Sequence, residues 1–245
     1  MTKFLTSRIA FALVGIVGLL PTTNASAGDF GNIGSLTQGQ FDLLAKDVGS
    51  ALSYNGGAAG ATLSLPGLDL TYSFGASRIQ NRAIWEQAWT SGSVPTYLPL
   101  STLGAVAHLP FNVDLAGQYV VAHSTDLRVG GAQLRWGFLP ETLTTPSMWA
   151  TLSYSRLLSR DDISFDSVGV GLGISKKLIV VTPYGGIGRF WTKTKATNVP
   201  TLSSVSDQHN RVYVGVRFNF LLNFAIEASR TGNSTTYGIN YGLSF

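Results

Sequence analysis

Arginines, carboxylates and amides recur at alternate positions within apolar segments along much of the chain. Eight of them form the main candidate site: Asp69, Asp114, Gln133, Arg135, Arg189, Arg211, Arg217 and Glu227. The polar residues His108, Gln118, Asn219 and Asn240 follow the same alternation. Arginines and carboxylates in near balance can form a buried ion-pair network, and a ring of such groups can also form a constriction that selects small solutes. We expect the network as the main role and the constriction as the alternative.

Two short motifs suggest hydrolysis. Asp207-Gln208-His209 has the Asp-x-His spacing of the omptin proteases, whose site also needs a facing pair of carboxylates. Asp161 and Asp162 are adjacent, so their side chains would diverge in a strand. His123 and Ser124 suggest a lipid A deacylase, but consecutive strand residues also point to opposite faces. We therefore predict that the chain has no catalytic residues and is not an enzyme.

Metal and phosphate sites find no support. The chain has no cysteine, and its three histidines are widely separated. The glycine-rich runs 169–173 and 185–188 do not open helices, so we interpret them as strand glycines that relieve crowding. The sequence predicts neither a metal nor a cofactor.

The last residues of the chain indicate that the polar side chains named above lie on β-strands. Tyr237, Ile239, Tyr241, Leu243 and Phe245 alternate with small or polar residues, which gives an extended strand one apolar face and one polar face. A terminal strand ending in phenylalanine is typical of bacterial outer-membrane barrels. Charged residues make up only 12% of the chain, which suits strands that face lipid on one side.

Period-two segments recur from Gly67 to the end, and ten can be counted. Each spans about ten residues, the length that a tilted strand needs to cross the hydrocarbon. We predict an all-β transmembrane antiparallel up-and-down barrel of about ten strands. Eight strands result if two weak segments are merged, and twelve if residues 61–65 are counted. An even number places both ends of the barrel on the periplasmic side.

The N-terminal part predicts export followed by a short helix. Lys3 and Arg8 precede an apolar run, 9–20, and small residues at 25–27, as in a cleaved signal peptide. The run is shorter than the roughly 20 residues of a spanning helix, which disfavours a retained anchor. Without these two cations the excess of positive charge is small, so we predict no nucleic-acid partner. The predicted divisions are a signal peptide (1–27), a helical plug segment (28–66) and the barrel (67–245).

Apolar residues at spacings of three and four predict a helix between Leu36 and Tyr54, with Ser35 or Thr37 as its cap. Such a helix can plug the lumen or lie below it. We favour the lumen, because small residues on the inward faces leave space to fill. Residues 81–89 predict a second short helix in the first long connection.

Three blocks carry a family resemblance: 47–54 (DVGSALSY), 182–189 (TPYGGIGR) and 227–233 (EASRTGN). Together they resemble an uncharacterised family of proteobacterial outer-membrane proteins, described mainly as a domain of unknown function. The resemblance spans nearly all of the chain after the predicted signal. It implies an exported barrel and brings no known activity or catalytic residues.

These observations predict a non-enzymatic protein of the bacterial outer membrane with periplasmic termini. Its role would be structural or that of a narrow, plugged conduit for small or hydrophobic solutes, with the solute unidentified. The expected partners are outer-membrane lipid and the barrel assembly machinery, which would engage the strand ending at Phe245. One alternative is adhesion or partner binding through the connections 79–100 and 193–209, with Trp85, Trp89 and Tyr97 in contact with the partner. The other is a surface hydrolase of the protease or lipid A deacylase type.

Overall fold

Ten antiparallel strands pair in chain order, and the last pairs with the first to close a barrel. The computed structural model describes residues 30–54, 67–90, 93–159, 162–219 and 223–245. The strands are β1 (Gly67–Arg78), β2 (Tyr97–Leu109), β3 (Val113–Ala122), β4 (Arg128–Leu139), β5 (Ser147–Leu157), β6 (Ile163–Ser175), β7 (Val181–Ala196), β8 (Val205–Asn219), β9 (Asn223–Thr231) and β10 (Ser234–Ser244). The helices are α1 (Gln38–Leu52) and α2 (Arg82–Ala88), with short 3-10 turns at Ile33–Ser35 and Pro110–Asn112. The predicted ten-stranded barrel is confirmed, so the eight-strand alternative is wrong. The segment 61–65, which the twelve-strand alternative counted, lies outside the described residues.

The strand register separates an apolar outer face from a mixed inner face. On β8, Val214 is 61% exposed, and Leu103 on β2 is 56% exposed, although both side chains are apolar. Their neighbours in the chain point into the barrel, because successive strand residues alternate between faces. Closure leaves no strand edge without a partner, which a sheet in hydrocarbon requires.

Helix α1 begins where the sequence predicts a cap. The Thr37 side chain accepts a hydrogen bond from the Gln40 backbone, and the Gln40 side chain accepts one from the Thr37 backbone, which completes a capping box. The predicted apolar stripe is buried along its whole length: Phe41, Leu44, Ala45, Val48 and Leu52. The helix packs against β7, β8 and β10 on their inner faces, so it lies inside the barrel. In the described part of the chain, no helix is long and apolar enough to cross a membrane.

The two ends of the barrel differ. One end, here called the loop end, carries the connection from β1 to β2 with helix α2, and it also holds the segment before α1. The other, the turn end, carries the 3-10 turn between β2 and β3 and the C-terminal Phe245, whose backbone pairs with Leu68. Phe30 packs on Trp85 and Trp89 of the β1–β2 connection. Phe30 therefore lies at the loop end, whereas Gly67 and Ser244, the first and last residues of the barrel strands, lie together at the turn end. The periplasmic location of both termini stays a prediction.

Several predicted features fall outside the described residues. The predicted signal peptide (1–27) and the segment 55–66 do so, and the predicted divisions of the chain therefore remain predictions. The long connection expected at 193–209 is shorter than predicted, because β7 continues to Ala196 and β8 begins at Val205.

Replacement of Val214 by arginine tests which face meets lipid. If Val214 faces the middle of the bilayer, we expect Val214→Arg to lower the free energy of unfolding by about 2–4 kcal/mol. Val214→Met is the control, because it adds length without charge and should cost little. Urea titration of the barrel in vesicles measures both. Equal losses in the two variants would show that bulk, rather than lipid exposure, sets the cost.

Candidate functional site

The interior of the barrel has two zones, and the one near the loop end is apolar. Wall residues from β2, β3, β4, β6 and β7 line it: Leu98, Leu100, Val120, Val129, Phe165 and Ala196. Phe41, Leu44 and Val48 of α1 fill the space between them and are completely buried. Each such side chain contributes about 1.5–3 kcal/mol when it leaves water. A water-filled lumen would expose all of these side chains, so the wall and the helix are matched to each other.

A buried carboxylate fastens α1 to the β1–β2 connection. Asp47 accepts hydrogen bonds from the Asn81 backbone at 2.8 Å, the Asn81 side chain at 3.1 Å and the Trp85 indole at 3.1 Å. Burial raises the pKa of Asp47, and the bonds from Asn81 and Trp85 oppose that rise. Gln40 and Gln87 join the two helices at 2.7 Å. The first long connection therefore closes over the end of the helix.

The Asp207-x-His209 motif lies on the inner face of β8, and its histidine packs against α1. The imidazole of His209 is buried, with Ser50 at 3.4 Å from Nδ1 and Thr192 at 3.4 Å from Nε2. A Cβ atom at Gly49 would lie only 2.6 Å from His209 Nε2, so glycine is needed for this close approach. His209 of the motif therefore packs directly against the helix. Asp161, one of the two adjacent carboxylates considered for the omptin hypothesis, lies outside the described residues.

A buried chain of charged groups occupies the turn-end zone. Asp114 is 1% exposed and bonds His108 Nδ1 at 2.7 Å. The other carboxylate oxygen of Asp114 accepts from the Arg135 guanidinium, at 2.6 Å from Nε. His108 Nε2 lies 3.2 Å from Asp69. The cluster thus ties β1, β2, β3 and β4 together across the inside of the wall.

A second ion pair lies in mid-lumen, directly below the helix. Arg211 bonds Glu227 at 2.8 Å and also donates to the Tyr54 carbonyl at 2.9 Å, just beyond the end of α1. The Tyr184 hydroxyl donates to Glu227 at 3.1 Å. One arginine therefore joins the wall network to the helix segment. Gln133 and Arg217 face the same interior, but they do not take part in either set of bonds.

Arg189 does not belong to the interior, and its assignment there is wrong. It pairs directly across from Val170 and lies on the outer face with Ile187 and Trp191. Its guanidinium lies 6.0 Å from the centre of the Trp191 ring and donates to Gln208. The error has one cause: the consecutive apolar residues at 179–181 leave the phase of β7 ambiguous, and the strand begins only at Val181.

The same phase error concealed Tyr184. With β7 beginning at Val181, the even-numbered residues Thr182 and Tyr184 face inward and Tyr184 reaches Glu227. The alternation along β7 indicates that Tyr184 faces inward only once the first residue of the strand is known. Trp149, whose ring lies 5.8 Å from the Arg135 guanidinium, was also missed, because an inward tryptophan resembles a lipid-facing one in sequence.

Two small cavities lie among the described residues inside the barrel. A cavity of about 50 Å³ lies beside Leu52, Ser53 and Glu227, and one of about 40 Å³ lies beside Tyr54 and Arg211. Each can hold a few water molecules. Both amide atoms of Gln118 lack a hydrogen-bond partner within the described part of the chain. No cluster of three or more metal-ligating side chains occurs among those residues.

The chain matches no protein-family model and no curated protein sequence. It is similar in fold to a KdgM porin, with 11% identity over 72% of this chain and 99% of the porin and a TM-score of 0.38. The translocator domain of the autotransporter NalP from Neisseria meningitidis has 12% identity over 85% and 94% of the two chains and a TM-score of 0.41. Ail of Yersinia pestis has 15% identity over 74% and 100%, with a TM-score of 0.29. All three likenesses concern the barrel fold alone.

The Asp114 cluster can be tested by removing one charge or two. Asp114→Leu takes the carboxylate away from the buried Arg135, and we expect a loss of about 3–5 kcal/mol in the free energy of unfolding. Replacing both residues, as Asp114→Leu with Arg135→Met, should recover most of that loss, because no charge of the pair then stays buried. Urea unfolding in detergent measures each variant. A double variant as unstable as the single one would contradict the assigned ion pair.

An engineered disulfide tests the position of the helix. The hydroxyls of Ser53 and Ser167 lie 3.2 Å apart, and the chain has no cysteine of its own. We expect Ser53→Cys with Ser167→Cys to crosslink on mild oxidation of the folded barrel, measured by mass spectrometry of the joined peptides. Ser53→Cys with Ser206→Cys is the control, because Ser206 is exposed on the outer face. Crosslinking only after unfolding would contradict the lumen position.

Proposed function

We propose that the protein is a bacterial outer-membrane barrel whose own N-terminal helix closes a narrow passage for small solutes. The observation that carries the proposal is the division of the lumen: α1 fills the apolar zone, and a polar zone lies below it. In this orientation the loop end faces the exterior and Phe245 faces the periplasm. The partners we propose are membrane lipid around the wall and the assembly machinery at the strand ending in Phe245.

The polar zone supports a passage rather than a solid core. Unpartnered amide atoms of Gln118 and the cavities beside Glu227 and Arg211 provide groups that water or a small polar solute can bind. A ten-stranded barrel is much narrower than the sixteen strands of open aqueous channels, so a large solute would not pass. The proposed role of the lumen is non-enzymatic, because α1 packs on His209 through Gly49 and Ser50.

The adhesion alternative receives less support. Trp85 and Trp89 are buried against Phe30 and are not available to a partner, whereas Tyr97 remains exposed. Val199 and Leu202 of the β7–β8 connection also pack on the core. A hydrolase that uses His209 in the lumen also receives less support, because α1 packs against the imidazole.

Planar-bilayer recordings test the passage. We expect the complete protein to be closed for most of the recording, and a variant lacking residues 30–54 to show small conductance steps, because its polar zone then opens to the loop end. The crosslinked Ser53→Cys, Ser167→Cys protein should stay closed, and reduction should restore the behaviour of the complete protein. A gel shift on boiling verifies that each barrel is folded. A folded helix-free barrel without conductance would show that no passage exists and would leave a structural role.

A further inference from the structure

Strand pairing places a serine and a histidine together on the outer face of the barrel. Ser101 on β2 pairs directly with Phe74 on β1 and Val121 on β3, and the exposed Phe74 shows that this row faces outward. His123 follows the end of β3, and its Nε2 lies 2.6 Å from Ser101 Oγ. This distance is within the range for proton transfer between a nucleophile and its base.

The neighbours of this pair hold it in position. The His123 backbone donates to the Pro99 carbonyl at 2.8 Å, which fixes the histidine to the strand that carries Ser101. The Tyr72 hydroxyl donates to Ser101 Oγ at 3.2 Å. The hydrogen atom of Ser101 is then directed towards His123, while Tyr72 supplies a donor at the atom that would attack. Within the described residues, no carboxylate contacts His123, so the pair is a dyad.

We propose that Ser101 and His123 form an acyl-transfer site whose substrate class is the ester-linked acyl chain of a membrane lipid. The site lies outside the lumen and does not rest on the proposed passage. Leu103 and Tyr119 are exposed one step farther from the loop end, where an acyl chain would lie. Arg128 is exposed opposite Val121 in the same lateral row, where it can bind an anionic headgroup.

The chemistry balances without a cofactor. Ser101 Oγ bonds to the ester carbonyl carbon as His123 Nε2 takes the hydroxyl proton. The bond from that carbon to the lipid alcohol then breaks, and the alcohol leaves with the proton from His123. Water attacks the acyl-serine with His123 again as base, which releases a fatty acid and restores Ser101. The Tyr72 hydroxyl can donate to the oxyanion in both steps. Ser101 is 6% exposed, so a slender acyl ester can approach its hydroxyl more readily than a polypeptide can.

Covalent labelling tests the dyad without knowledge of the natural lipid. A fluorophosphonate probe forms a bond between serine oxygen and phosphorus and releases fluoride, and mass spectrometry locates the adduct. We expect wild-type barrel in detergent to be labelled on Ser101, and His123→Gln to react at least about 100-fold more slowly, because a general base contributes that much or more. Ser124→Ala is the matched control and should react like wild type. No adduct at Ser101 in the wild type would overturn the proposal even if a variant failed to fold, and so would an undiminished rate in a folded His123→Gln.

A lipid assay then tests the substrate class. Vesicles of ester-linked phosphatidylglycerol should release fatty acid, whereas vesicles of its ether-linked analogue should not. Phosphatidylcholine should react more slowly, and Arg128→Gln should remove the difference between the two headgroups while Ser101 still labels. Labelling of Ser101 without fatty acid release from either ester lipid would refute the proposed lipid substrate.

Discussion

Pairing of β10 with β1 is the interaction on which the rest of the structure depends. It is the pairing that closes the barrel, with nine registered residue pairs from Asp69 with Ser244 to Ser77 with Thr236. Without it both strands would present unpaired backbone groups, which hydrocarbon does not tolerate. Closure also fixes which residues face inward. On β10, the strand that closes the barrel, the strict alternation of apolar and polar residues determines which side chains face outward.

Closure creates an interior that must be filled, and the chain fills it in two ways. Near the loop end, apolar wall residues are covered by the stripe of α1, so the hydrophobic effect holds the helix. Farther in, ion pairs such as Arg135 with Asp114 bridge neighbouring strands. Each buried charge needs its partner to offset the cost of desolvation. The helix needs only an apolar wall of matching shape. Arg211 connects the two, because it bonds both Glu227 and the chain just beyond α1.

Sequence alternation predicted most of this architecture because each strand carries its own signal. The ten strands, the cap at Thr37 and the buried stripe of α1 all follow from local patterns. Arg189 was misplaced where the local pattern was ambiguous. The pairing of His123 with Ser101 lay beyond prediction for a different reason: it depends on the register between β2 and β3, and only the adjacent Ser124 was considered from the sequence. Two residues on different strands can be expected to pair from the sequence when their side chains carry opposite charges. A serine and a histidine give no such signal.

The two faces of the wall therefore impose different conditions on any chemistry. Inside, α1 and the ion pairs occupy much of the space, and His209 packs against Gly49 of the helix. Outside, a polar side chain is costly in lipid unless it is bonded, and the hydrogen bond between Ser101 and His123 meets that need. The same bond directs the serine hydroxyl towards a base. One geometry therefore both stabilises the polar pair and activates the nucleophile. The Tyr72 hydroxyl donates a second hydrogen bond to Ser101 Oγ. The bond to His123 already gives the serine hydroxyl one hydrogen-bond partner, so the second bond goes beyond that minimum.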